Sequence, residues 1–288
     1  LLIVLFVLFF IGLGLLIGAV WGGGDWTFSI LVASAAAVAA FLLTLASYYA
    51  GSAAVLGISR ARPIQKADDP QLFNVVEELS IAAGIPMPKI YLIEDEAPNA
   101  FATGRSPRHA AVAATAGILR MLDDDELEGV IAHELAHVKH RDTLISTIVA
   151  TIAGAVMMLA SIGRFGLLFG GLGSDDDDNP LGAILGLIVL LIAPIAAVLV
   201  QMWISRTREF AADEGGARIS GRPLALASAL QKLEAGVRYA PMQANPSTAH
   251  MFIVNPLRAD SVAKLFSTHP PTEERVARLR ELAARGIS

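Results

Sequence analysis

Within this 288-residue chain, His133-Glu134-Leu135-Ala136-His137 is the segment whose residue types and spacing could do chemistry. On a helix, residues four apart share one face a turn apart, so both imidazoles can reach a single metal ion. Glu134 stands beside them, where its carboxylate can take a proton from water that the metal activates. This is the H-E-x-x-H arrangement of zinc hydrolases. With six His and thirteen Glu in the chain, a chance match is expected on the order of once in 200 such sequences. Two surface histidines on a helix are therefore the weaker reading.

A catalytic zinc needs a third protein ligand and an open position for water. The chain has no cysteine, which excludes disulfides and thiolate ligands, so the third ligand must be His, Asp or Glu. His140 lies seven residues beyond His133, about 10 Å along a helix axis. That is too far for one ion to hold it together with His133 and His137, so it reads as a solvated side chain. Glu209 is the better candidate, in Arg206-Thr207-Arg208-Glu209-Phe210-Ala211-Ala212-Asp213. Asp213, four residues on, shares its helical face and could accept the free N–H of a ligating histidine. On residue chemistry alone two such carboxylates are more often a solvated helix face. The unfilled third position, together with a helical hairpin returning the chain, brings the metal-binding reading level with it.

The elements that must position these residues are membrane helices. Hydrophobic residues make up 54% of the chain and charged residues 17%, against about 45–50% and 25% in soluble domains. Mean hydropathy is +0.57. Four stretches are apolar and long enough to span a bilayer as helix: 1–20, 28–58, 144–162 and 181–204. Trp21 and Trp26 are placed as interfacial anchors. The chain opens on Leu1, which predicts a trimmed start, and lacks the charged n-region and cleavage pattern of a signal peptide. Pro194 is expected to kink the fourth stretch. Arg60, Arg62, Lys66, Lys139, Arg141, Arg206 and Arg208 flank the stretches on one side, whereas the opposite loops carry only Arg164. The positive-inside rule then places residues 60–143 and 205–288 in the cytosol. The third and fourth stretches would form a hairpin that returns Glu209 to the surface from which His137 departs.

Between the stretches, 70–84 has the spacing of an amphipathic helix. Residues 89–94, 99–103 and 110–114 read as short strands between Pro- and Gly-bearing turns. Asp123 or Asp124 suits the N-cap of the helix carrying His133 and His137, which is expected to run on toward the third stretch. Residues 236–268 read as loop-rich and 272–284 as a charged amphipathic helix. The predicted fold class is a mostly α membrane protein: four transmembrane helices plus a cytosolic α+β zinc-peptidase domain with a small sheet. Its expected parts are 1–58 (helices 1 and 2), 59–143 (first catalytic part), 144–204 (hairpin) and 205–288 (second catalytic part).

The chain resembles the HtpX-type membrane zinc endopeptidases, gluzincins related to the CAAX prenyl proteases. The resemblance rests on His-Glu-Leu-Ala-His followed by Arg141-Asp142, on Arg206-x-x-Glu209-x-x-x-Asp213, on Asn99-Ala100-Phe101-Ala102, and on Thr268-His269-Pro270-Pro271 with Arg275 beyond. These motifs occur in the family's order. The resemblance implies one Zn2+ held by His133, His137 and Glu209, with Asp213 in support and Glu134 as general base. It also implies an edge strand at Asn99 that binds substrate backbone, and His269 and Arg275 lining the site near the developing oxyanion. By residue type alone, Asn99 is a turn former, His269 a loop residue and Arg275 a solvated helix residue.

The expected activity is hydrolysis of peptide bonds in misfolded or damaged membrane proteins at the cytosolic bilayer surface, most simply of a bacterial inner membrane. The partners implied are polypeptide substrates and the lipid bilayer. No basic patch suggests nucleic acid. An intramembrane protease fits poorly, because the acidic run at 123–128 precedes the histidines. A prenyl protease proper would need more chain for an enclosed chamber. A metal transporter would need ionisable residues within its spans, and the four stretches carry none. A membrane peptide-binding protein with a structural zinc site remains the alternative, although zinc binding alone does not call for Glu134.

Overall fold

The computed structural model describes residues 7–8, 10–12, 14–15, 18, 25–142, 206–239, 253 and 270–286. The chain divides into two compact units, Leu1–Tyr49 with Thr147–Gln201 and Ala50–Ser146 with Met202–Ser288. Helix α1 spans Trp26–Ile58, close to the second apolar stretch expected from sequence. Its segment Trp26–Ala46 has a mean hydropathy of 2.3 and is long and apolar enough to cross a membrane. Large side chains along it, among them Trp26, Ile30, Leu31, Val38 and Phe41, are exposed. Twelve of the twenty residues of the first apolar stretch, and all of the third and fourth, lie outside the described residues.

The second unit is built on a four-stranded mixed sheet. Strands β1 (Arg62–Pro63), β2 (Lys89–Ile93), β3 (Ala100–Gly104) and β4 (Ala110–Thr115) lie in the order β1-β2-β4-β3. β2 and β4 are parallel, with Ile90 opposite Val112, while β3 returns antiparallel with Ala102 opposite Val112. β3 is therefore an edge. Small residues fill it and β4, and all eleven of their residues are buried, so helices can lie close against this side of the sheet. β2, β3 and β4 match the expected strands to within a residue at each end. β1 is too short to show a period.

Helix α2 (Pro70–Ala83) starts where Asp69 accepts from the Leu72 N–H and Pro70 presets the first turn. It stops at Gly84, whose φ of 69° is the left-handed conformation that a glycine adopts without cost. The short helix α3 (Ala116–Met121) follows β4. Helix α4 (Asp124–Lys139) begins with a complete capping box between Asp123 and Glu126. Leu127, Val130, Ile131 and Leu135 of α4 are fully buried with Leu72 and Val76 of α2 and with Val112. Eleven of its sixteen residues are buried, so α4 is the central helix of the unit.

Residues 206–220 form helix α5. Two further helices complete the unit, α6 (Pro223–Tyr239) and α7 (Thr272–Ala284). α6 extends into positions 236–239, expected as loop, because Leu226, Leu230 and Leu233 give it an apolar stripe that joins the core. Glu126 also ties α6 to α4, taking Ser228 Oγ at 2.7 Å and Lys232 Nζ at 2.5 Å. α4 stops at Lys139 with His140 as its C-cap, and the chain turns at Arg141, where φ is 59°.

Candidate metal centre

The side chains most able to bind a cation converge between α4 and α5. The Nε2 atoms of His133 and His137 lie 3.2 Å apart. Glu209 on α5 brings Oε1 to 3.4 Å from His137 Nε2 and Oε2 to 3.7 Å from His133 Nε2. Among the described residues these three form the cluster of His and acidic side chains able to hold a metal ion. Ligand atoms bound at about 2.0–2.1 Å to one tetrahedral ion stand about 3.3–3.4 Å from each other. The His133–His137 and His137–Glu209 separations fit that requirement, and Glu209 Oε2 stands wider, at 3.7 Å from His133 Nε2.

Close approach of the two helices makes this possible. α5 lays Gly215 and Gly216 against α4, and a Cβ at Gly216 would lie 2.8 Å from both the Cα and the N of His133. Only a residue without a side chain lets α5 approach near enough for Glu209 to reach the imidazoles. Gly215 is similarly tight against Ala136, where a Cβ would meet the Ala136 Cβ at 2.9 Å.

The far nitrogens of both imidazoles face carboxylates. His137 Nδ1 donates to Asp142 Oδ2 at 3.1 Å, because an ionised carboxylate can only accept. His133 Nδ1 lies 3.0 Å from Asp213 Oδ1. With protons on Nδ1 the two neutral rings would turn their Nε2 lone pairs on each other and on the Glu209 carboxylate. In the metal-free protein Arg275 Nη2, 3.4 Å from His133 Nε2, and a proton held by His137 relieve that opposition, and a bound cation would take the proton's place.

Two arginines balance the outer carboxylates. Arg275 of α7 is 2% exposed and grips Asp213 in two bonds, Nε to Oδ2 at 2.8 Å and Nη2 to Oδ1 at 2.7 Å. Its Nη1 donates to the Ile253 carbonyl at 3.0 Å and lies 3.3 Å from Glu209 Oε2. Arg208 Nη2 donates to Asp142 Oδ1 at 2.5 Å. Each Asp–Arg pair is neutral as a unit, so Glu209 is the carboxylate left to face the two imidazoles.

Glu134 is 5% exposed and accepts the N–H of Ala102 on edge strand β3 at 2.8 Å. Burial, with a contribution from Glu209, raises its pKa to about 7 against the opposing pull of His137, the Ala102 N–H and Arg275. Burial would lower His137, but Asp142, Glu209 and Glu134 overcome it and push the value up to about 10. His133 moves the other way, held low chiefly by burial despite Asp213. Asp213 is kept below the usual carboxylate range by Arg275 and His133, which outweigh its burial.

Of the residues singled out from sequence, His133, Glu134, His137, Glu209, Asp213 and Arg275 come together. Asn99 sits just before β3 with its main chain committed to Thr115, N–H to Oγ1 at 2.9 Å and carbonyl from the Thr115 N–H at 2.9 Å. Its Oδ1 is buried without a hydrogen-bond partner among the described residues. Arg275, expected at the substrate, reaches the metal-facing atoms, with Nη2 3.4 Å from His133 Nε2 and Nη1 3.3 Å from Glu209 Oε2. His269 lies outside the described residues. Asp142, Arg208, Ala102 and Gly216 were not legible as site residues. The signals present were an acid five positions beyond His137, a base beside Glu209 and a Gly-Gly pair about two turns past it.

A buried H-E-x-x-H helix facing an edge strand, with a carboxylate from a second helix completing a metal cluster, defines the class of a metalloprotease. The model for Peptidase family M48 matches residues 66–283. The chain belongs to this family and is a metalloprotease acting on polypeptides. Among its relatives is the "Protease HtpX homolog" of Desulfatibacillum aliphaticivorans, 52% identical over 92% of this chain and 84% of that protein. The protein of the same description from Thermococcus kodakarensis is 51% identical over 94% of this chain and 92% of its own length. The solved structure of S. mikatae Ste24p shares the fold with a TM-score of 0.55 at 21% identity. That match covers 93% of this chain and 62% of the Ste24p chain.

Proposed function

We propose that this protein is a zinc-dependent endopeptidase anchored in a membrane, which cuts misfolded or damaged membrane proteins at the cytosolic bilayer surface. The observation that carries the reading is the convergence of His133, His137 and Glu209 at tetrahedral ligand spacings, with Glu134 beside them. Two imidazole nitrogens and one carboxylate favour zinc over harder ions such as magnesium or calcium. Membrane placement is supported by α1 and by the apolar stretches at 1–20, 144–162 and 181–204 with their one-sided basic flanks. The proposed arrangement is four spanning helices in 1–58 and 144–204, with 59–143 and 205–288 cytosolic, in a bacterial inner membrane.

In this reading His133, His137 and Glu209 hold the ion, and bound zinc supplies Lewis acidity to the scissile carbonyl and to the attacking water. Glu134 takes the proton from that water and hands it to the leaving amine. Burial raises the Glu134 pKa to about 7 in the metal-free site, and beside a bound dication it would fall toward the carboxylate form that a general base needs. Asp213 orients His133, and Arg275 holds Asp213. His269 would stabilise the oxyanion. Substrate would lie as an added strand along β3, in the region of Asn99, where main-chain bonding gives loose sequence preference.

The test is proteolysis of an unfolded polypeptide such as casein by detergent-purified protein reconstituted with zinc, comparing wild type with Glu134→Gln. One zinc per chain in both proteins, with cleavage by the wild type alone, is expected. Zinc in both and cleavage by neither would favour a peptide-binding membrane protein with a structural ion. A wild type that takes up no zinc would overturn the proposal.

A further inference from the structure

Asp142 belongs to the metal-binding cluster only because α4 breaks. Five residues of continuous helix would turn Asp142 about 140° away from His137. Instead the His140 N–H closes on the Ala136 carbonyl at 3.0 Å and the Arg141 N–H on that of Val138 at 3.1 Å. Arg141 then takes the left-handed conformation, with φ at 59°, which disfavours any residue with a Cβ. The turn folds Asp142 back over the last turn of α4, where it is 7% exposed and accepts the His137 Nδ1–H at 3.1 Å. Its other oxygen takes Arg208 Nη2 at 2.5 Å, and its main-chain carbonyl lies 3.5 Å from Arg208 Nη1. Arg208 immediately precedes Glu209. One carboxylate thus touches the ring of one metal-binding residue and the neighbour of another, from segments 66 positions apart.

We infer that Asp142 and Arg208 are positioning residues for the metal centre, acting as a clamp that fixes His137 and brings Glu209 to it. This inference rests on the reading that His133, His137 and Glu209 hold a metal ion. Asp142 keeps the His137 proton on Nδ1, so that the Nε2 lone pair faces the ion, and a carboxylate in this position raises the imidazole's strength as a ligand. Arg208 holds Asp142 in place and draws the start of α5 toward the end of α4. The clamp mirrors the Asp213–Arg275 pair beside His133, but it alone bridges the two ends of the 143–205 segment. Arg208 acts through Asp142, so removing both should do no more harm than removing Asp142.

The test uses the full chain in detergent, stripped of metal and reloaded. Zinc affinity is measured by competition with a chelator, and the visible spectrum is recorded after loading with cobalt. Asp142→Ala is expected to weaken zinc binding about 10- to 100-fold, the range for residues that orient a metal-binding histidine, and to change the cobalt bands. Asp142→Asn retains the size and an accepting oxygen, so it should fold as the wild type does and lose less affinity. Arg208→Gln should weaken binding, and Asp142→Ala/Arg208→Gln should match Asp142→Ala. Wild-type affinity and cobalt spectra in Asp142→Asn and Arg208→Gln would overturn the clamp alone, leaving the metal site intact. Losses that add in the double variant would overturn the relay through Asp142. If the wild type binds neither zinc nor cobalt, the metal-site reading fails and the clamp with it.

Discussion

At Glu134 the side chain is nearly closed to solvent, and its one short bond among those described is to the Ala102 N–H at 2.8 Å. Glu134→Gln preserves shape and burial but removes the group that accepts a proton. Activity should fall on the order of 10²–10⁴-fold while zinc content stays at wild-type level, measured by peptide cleavage and elemental analysis in parallel. Loss of zinc as well would make Glu134 a structural residue. Arg275 makes a different prediction. Arg275→Met leaves Asp213 buried and charged without its bidentate partner, a change that costs about 3–5 kcal/mol and should appear as a lower midpoint in chemical denaturation of the metal-free protein. An unchanged midpoint would mean that Asp213 finds another cation. The contrast between these residues explains what sequence could show. His133, Glu134 and His137 form a local pattern whose helical geometry follows from spacing alone. Asp142 reaches His137 only through a helix break at a residue that is not glycine, and nothing in Arg141 announces a positive φ.

At the scale of elements, the strands, the helix over 70–84 and the N-cap at Asp123 were legible because their determinants are local, whereas the caps at Asp69 and Gly84 and the partner role of Glu126 appear only in the structure. Nor was the approach of α5 to α4 legible, because Gly215-Gly216 acquires meaning only against the backbone of His133. This contact gives a prediction whose sign is diagnostic. Replacing a helical glycine by alanine ordinarily stabilises by about 0.5–1 kcal/mol. At Gly216 the new Cβ would sit 2.8 Å from His133 backbone atoms, which cannot swing aside as a side chain can. Gly216→Ala should therefore destabilise the protein and weaken zinc binding at least tenfold, because α5 carries Glu209 outward as it moves. A stabilised Gly216→Ala with wild-type zinc affinity would mean that the helices do not touch there. α6 shows the complementary case: its apolar stripe was present in the sequence, yet its place in the core follows from Glu126 reaching Ser228 and Lys232.

For the whole molecule, the metal centre joins two pieces of chain, 124–142 and 206–220, whose sequence connection runs through the apolar stretches 144–162 and 181–204. A ligand that binds only the folded state stabilises it by about 4.1 kcal/mol at a thousand times its Kd. Zinc at that excess should slow amide exchange through cooperative opening of the catalytic unit by about a thousandfold. The protection should cover both pieces, because His133 and His137 lie on one and Glu209 on the other. In Glu209→Ala the ion keeps two imidazole ligands on α4 but loses its hold on α5. Zinc should then protect α4 modestly and leave 206–220 exchanging as in the metal-free protein. Hydrogen exchange read by peptide mass, with and without a chelator, separates the two cases in a single membrane-solubilised sample. If zinc protected 206–220 equally in wild type and Glu209→Ala, the ion would not be bridging the two pieces. The role of third ligand would then pass to another residue.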